Sequence, residues 1–100
     1  MAAYLIASGE VTDPVLYEQY RAQVPALIFA HGGRYLVRGG ATTLLEGGSG
    51  DPGRQVVLEF PSMAQLRAFY DSPEYAPLIA LRQRAAQLRI LAVEGVLSAV

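Results

Sequence analysis

The chain has 100 residues, of which 52% are apolar and 17% charged, and its net charge is −1. That length supplies one core and that composition is globular rather than disordered, so a single domain over residues 1–100 is expected. Eight cations against nine acidic residues leave no broad positive field for nucleic acid or an anionic membrane, and the lack of cysteine excludes disulfides, thiolate nucleophiles and iron–sulfur sites.

All eight cations are arginine, and neither Lys nor Asn occurs; because codons for both are A-rich, this bias points to a GC-rich bacterial genome. No basic residue precedes Arg21, the apolar start is too short for a signal peptide, and no run nears the roughly 18 residues of a membrane span. A cytoplasmic protein is the expectation.

In chain order, Tyr4–Ala7 reads as a short buried strand. Asp13-Pro14 opens a helix that runs to about His31, with Tyr17, Tyr20, Val24, Leu27 and Ile28 on one face and Gly32-Gly33 as its stop. Pro25, inside it, predicts a kink or a tightened turn over residues 21–25. A second strand is expected over Arg34–Glu46, with a bulge at Gly39-Gly40. The glycine-rich stretch from Gly47 to Gly53 is then a mobile hairpin loop. Gln55–Phe60 alternates, with Val56, Leu58 and Phe60 on one face and Val57 and Glu59 on the other. Ser62 caps a short helix that ends near Asp71-Ser72. Ser72-Pro73 restarts helix with Tyr75, Leu78, Ile79 and Arg82 on one side, and Arg89–Val96 returns to strand.

The order β-α-β-β-α-β is that of a ferredoxin-like, α+β split βαβ fold: a four-stranded antiparallel sheet with its helices on one face. Its other face carries apolar residues such as Val57 and needs a cover. A second copy of the same sheet is the simplest one, so a homodimer with a barrel-like core is expected.

The segments Val11-Thr12-Asp13-Pro14, Ala30-His31-Gly32-Gly33-Arg34-Tyr35, Val37-Arg38-Gly39-Gly40, Leu58-Glu59-Phe60-Pro61-Ser62 and Tyr70-Asp71-Ser72-Pro73-Glu74-Tyr75 together resemble the DUF1330 family of the dimeric α+β barrel superfamily, over about residues 3–96. The resemblance implies a ferredoxin-like protomer and a dimer. It implies no reaction, because that superfamily includes cofactor-independent monooxygenases, lactone isomerases, haem-dependent enzymes and plain binding modules.

Chemistry must therefore be sought in single residues. His31, the lone histidine, is either an acid–base group or a helix C-cap. Arg38, inside a strand, requires an anion: Glu59 across the sheet or a substrate carboxylate. Glu59, if desolvated, would become a base. Tyr17, Tyr20, Tyr70 and Tyr75 are core aromatics whose hydroxyls need partners. One histidine, no cysteine and scattered carboxylates argue against a protein-built metal site, and haem could be held only through His31; no cofactor is expected.

The expected pocket lies between sheet and helices, lined by Tyr20, His31, Tyr70 and Tyr75, with Arg38 and Glu59 at its rim or floor and the glycine loop as connector or lid. Two functions fit it. One is a cofactor-independent enzyme in which Arg38 orients a small anionic or carbonyl-bearing molecule while His31 or Glu59 moves a proton. The other is a non-catalytic dimeric ligand-binding or interaction module.

Overall fold

Residues 1–96 are described by a computed structural model. Alternating small and apolar side chains at Ala3, Leu5 and Ala7 make β1 (Ala3–Val11) a strand with one buried face. Asp13 starts α1 (Pro14–Ala30): its Oδ1 accepts from the Leu16 N–H at 3.1 Å, and Pro14 stands where a missing N–H costs no bond. The helix stops as glycine chemistry dictates. The N–H groups of Gly32 and Gly33 bond the carbonyls of Phe29 and Ile28, a closure that sets Gly32 at a φ of +80°.

β2 (Arg34–Arg38), β3 (Arg54–Phe60), α2 (Met63–Tyr70), α3 (Ala76–Ala85) and β4 (Ala86–Glu94) follow. The sheet order is β2-β3-β1-β4 with every neighbouring pair antiparallel. β1 and β2 are thus parallel to each other with β3 between them, and β3 and β4 are parallel with β1 between them. This is the ferredoxin-like split βαβ expected from the element order.

Several boundaries differ from expectation, each for a tertiary reason. β4 begins at Ala86 rather than Arg89, because β1 extends to Val11 and pairs it with Ala86; it ends at Glu94, short of Val96. β2 ends at Arg38 rather than Glu46, since residues beyond it find no ladder partner, and its bulge falls at Leu36, ahead of Gly39-Gly40. The restarted helix begins at Ala76 because Ser72 holds a turn first, its Oγ donating to the Phe69 carbonyl at 2.8 Å and accepting from the Tyr75 N–H at 3.3 Å. Pro25 lies inside a continuous α1.

The helices pack on the Ala3/Leu5/Ala7 face, where Ile28, Phe60, Leu66 and Phe69 are fully buried. Each such side chain contributes on the order of 1.5–3 kcal/mol by leaving water. Phe69 is the centre of the aromatic packing, its ring centroid 4.4 Å from Tyr75 and 5.3 Å from Phe60. The opposite face carries Ile6 flanked by Val57 and Leu91, and Leu91 and Val93 each remain 42% exposed. Among the described residues, no helix is long and apolar enough to cross a membrane.

Candidate anion-binding site

Between sheet and helices lies a cavity of about 40 Å³, room for about three waters. Four arginines line it: Arg21 from α1, Arg38 from β2, Arg54 from β3 and Arg82 from α3. Among the described residues no carboxylate or histidine does. The Nε atoms of Arg21 and Arg54 are buried and have no hydrogen-bond partner. A buried donor left unmatched is destabilising by about 1–3 kcal/mol, more when it belongs to a charged group. Among the described residues the only acid within salt-bridge distance of these cations is Glu18, whose exposed carboxylate meets Arg21 Nη1 at 3.4 Å and does not line the cavity.

Arg38 reaches this site because of the bulge. Arg34 pairs with Glu59 and Tyr35 with Leu58, but the extra residue at Leu36 sets Val37 against Val57 and Arg38 against Val56. Without it, strict alternation would turn Arg38 to the face that holds Arg34 and Glu59. The bulge instead directs it toward the helices, where its guanidinium lies 4.5 Å from the Tyr35 ring centroid and donates to the Arg21 carbonyl at 3.2 Å. Arg54 is held over the Tyr17 ring at 5.3 Å, and Gly39, with φ +68°, leaves the space that its guanidinium fills.

Tyr20 and Tyr75 supply the polar handle on the other side. Their hydroxyls are 2.7 Å apart. Burial, then the neighbouring Tyr75, pushes the Tyr20 phenol far above its ordinary range; burial also raises Tyr75, against the opposing pull of Arg82. Both are neutral phenols at physiological pH. One O–H bridges the pair, and the other is available as a donor to a ligand oxygen.

The residues singled out in the sequence are thus divided. Tyr20, Tyr75 and Arg38 line the cavity. Glu59 does not: it lies on the opposite face of the sheet, bonded to Arg34 Nε at 2.7 Å and to the Tyr4 hydroxyl at 3.1 Å, so the cross-strand partner of Glu59 is Arg34 and not Arg38. Those two bonds, Arg34's first, hold its carboxyl below the usual range. It is therefore a weaker base than a free glutamate, the reverse of the expected rise.

His31 is the C-cap of α1, its Nδ1–H donating to the Leu27 carbonyl at 2.9 Å and its ring 6.0 Å from Phe69. It stands ten residues along α1 from the Arg21 carbonyl that binds Arg38, roughly 15 Å at 1.5 Å per residue. His31, Arg38 and Glu59 therefore do not form one site. Tyr70 is packed edge-on to Tyr75, at 5.6 Å, and lines the outer side of α3 rather than the cavity. The Gly47–Gly53 stretch is exposed apart from the half-buried Gly53, and forms no strand.

Arg21, Arg54 and Tyr35 are site residues that the sequence reading passed over, and Tyr17, expected in the core, also lines the cavity. A signal for them existed. Arg54 precedes Val56, Leu58 and Phe60 at the same alternating spacing, and Arg21 falls on the Tyr17–Val24–Ile28 stripe, as Arg82 does on that of Tyr75, Leu78 and Ile79. An arginine at a position that periodicity assigns to the core is a charge in need of a partner. Among the described residues no group of three His, Cys, Asp or Glu side chains gathers to hold a metal.

The fold has relatives among solved structures. The chain is similar to the RPA0582 protein of unknown function from Rhodopseudomonas palustris (TM-score 0.74, 18% identity, covering 95% of this chain and 82% of that one). It is also similar to SnoaB, a cofactor-independent oxygenase from Streptomyces nogalater (TM-score 0.64, 14% identity, 97% and 95% covered). A third is a dimeric ferredoxin-like protein of unknown function from Thermobifida fusca (TM-score 0.62, 18% identity, 95% and 92% covered). At these identities the likeness shows the fold alone. No curated protein matches the chain significantly. The family model of the domain of unknown function DUF1330 matches residues 2–96, nearly the whole chain, and the chain belongs to that family.

Proposed function

We propose that this chain binds a small organic anion in the cavity between sheet and helices, with Arg21, Arg38 and Arg54 receiving its carboxylate and the Tyr20–Tyr75 pair donating to a second oxygen. The observation that carries this reading is the pair of buried, unpartnered Nε donors of Arg21 and Arg54, two of the four arginines lining a cavity to which no described carboxylate contributes. A guanidinium fork matches a carboxylate in two parallel bonds. The apolar remainder of the ligand meets Val24, Ile28 and Leu58. Arg38 is exposed and stands at the rim, so its movement admits a ligand larger than the present cavity.

The test is thermal unfolding with monocarboxylates and with their methyl esters as neutral controls. A ligand at one hundred times its Kd stabilises the folded state by about 2.7 kcal/mol. The acids should raise the Tm, the esters should not, and Arg54→Met should abolish the effect. If no acid raises the Tm beyond sodium chloride at equal ionic strength, the reading is wrong.

Catalysis without a cofactor is the second reading, favoured by the likeness to SnoaB. The groups that could serve it are Tyr20 and Tyr75, as donors to a developing oxyanion, rather than His31 or Glu59. Mass spectrometry of a bound ligand after long incubation with the protein separates the two: an unaltered ligand leaves binding alone.

We further propose a homodimer closed through the open sheet face. Ile6, Val57, Leu91 and Val93 give that face its apolar character, and the Thermobifida fusca protein is described as dimeric. Light scattering should give twice the protomer mass, and Leu91→Asp should halve it.

A further inference from the structure

We infer that Arg38 is the gate of this cavity: a ligand enters where the Arg38 guanidinium lifts off the Tyr35 ring and the Arg21 carbonyl, and it is held when that guanidinium returns onto its carboxylate. This deepens the anion-binding reading and rests on it.

The cavity has to open somewhere. Its 40 Å³ hold about three waters, too little space for a carboxylate with a carbon tail. Among the described residues that line it, Arg38 alone is exposed; the others are buried or half-buried. The way in that displaces least is therefore at Arg38, the last residue of the edge strand β2.

The other three cations are fixed. Arg82 is 5% exposed and donates to the Tyr70 phenol. Arg54 lies over Tyr17 and fills the space left by Gly39. Arg21 has a buried Nε and pairs with Glu18. Among the described residues no carboxylate lies within salt-bridge distance of Arg38; what holds its guanidinium is one hydrogen bond to a backbone carbonyl and the face of one ring. At an exposed site contacts of these two kinds are each weak, so this side chain releases while its neighbours stay.

Its closed position is nevertheless set in advance. Pro25 has no N–H to give the Arg21 carbonyl, which leaves that oxygen to Arg38. The Tyr35 ring is braced edge-on by Phe29, at 6.5 Å between centroids and 84° between planes. Entry requires both contacts to break. Association that waits on such an opening falls below the rate of encounter and follows the open fraction.

Fluorine NMR relaxation dispersion of trifluoroacetate with the full chain measures association and dissociation rates, and two variants loosen the gate while keeping all four guanidiniums. Tyr35→Leu removes the ring, and Pro25→Ala supplies an N–H that competes for the Arg21 carbonyl. Because neither changes a charge, the long-range attraction of the anion is the same in both. Each should raise the association rate at least about threefold as the open fraction grows, and raise dissociation by more, so that affinity falls. Should Tyr35→Leu fail to fold, Pro25→Ala decides alone, since alanine favours the helix. An unchanged association rate, whatever happens to dissociation, overturns the gate and leaves the anion-binding reading intact, because Arg38 would then be a contact only. Absence of trifluoroacetate binding to the wild type overturns the anion-binding reading itself.

Discussion

The guanidinium of Arg38 donates to the backbone carbonyl of Arg21 at 3.2 Å, the carbonyl that Pro25 leaves without its helical partner. Proline has no N–H, so the bond from position 25 back to position 21 is missing from α1. A helix defect thereby becomes an anchor for a site residue. In Pro25→Ala the new N–H competes for the Arg21 carbonyl. The variant should be more stable by about 1–2 kcal/mol, because alanine outranks proline inside a helix even after its looser unfolded chain is counted. Carboxylate affinity should fall several-fold as Arg38 loses its hold. Calorimetry of unfolding and of binding checks both; a stabilised variant with unchanged affinity would show that the anchor is irrelevant to the site.

Gly39 tests the position of Arg54. A Cβ at this residue would fall on the Arg54 guanidinium, and φ +68° is itself unfavourable for alanine by about 1–2 kcal/mol. Gly39→Ala should lower the Tm and weaken carboxylate binding at least tenfold, about 1.4 kcal/mol. Gly40→Ala, where a Cβ meets nothing, is the control and should bind as the wild type does.

His31 should prove to be a cap. Its Nδ1–H bond to the Leu27 carbonyl is a single partly buried hydrogen bond, worth about 0.5–1.5 kcal/mol net. His31→Ala should cost that much in urea unfolding and leave carboxylate affinity unchanged. A loss of affinity without loss of stability would return His31 to the site.

Glu59 gives a pH signature. Its carboxyl is held below the ordinary 4.5, chiefly by Arg34 and then by Tyr4, so the folded state binds its proton less readily than the unfolded state does. The stabilisation is therefore complete above about pH 4.5 and is lost as the pH falls through the lower folded-state value. Wild type should exceed Glu59→Gln in stability at neutral pH, and the two curves should converge in acid. Parallel curves from pH 7 to pH 3 would mean that the ion pair contributes nothing.

Local chemistry determined most of the architecture. Asp13-Pro14, Ser62 and Gly32 carry their cap signals in the chain, and the Val56–Leu58–Phe60 alternation assigns the buried face of β3 without reference to any other element. Strand ends were not legible, since β4 starts at Ala86 only because β1 offers Val11 as its partner. The site was half legible for the same kind of reason. Tyr20 and Tyr75 lie on apolar helical faces that must turn inward, and their meeting could be anticipated. The face that Arg38 takes could not, because a single extra residue at Leu36 inverts the alternation of everything after it, and nothing in Leu36 itself marks a bulge. The sequence left Arg38 to Glu59 across the sheet or to a substrate carboxylate. The three-dimensional pairing of β2 with β3 put it beside Arg21, on the other side of the sheet, and so decided that four arginines rather than an ion pair and a histidine surround the cavity.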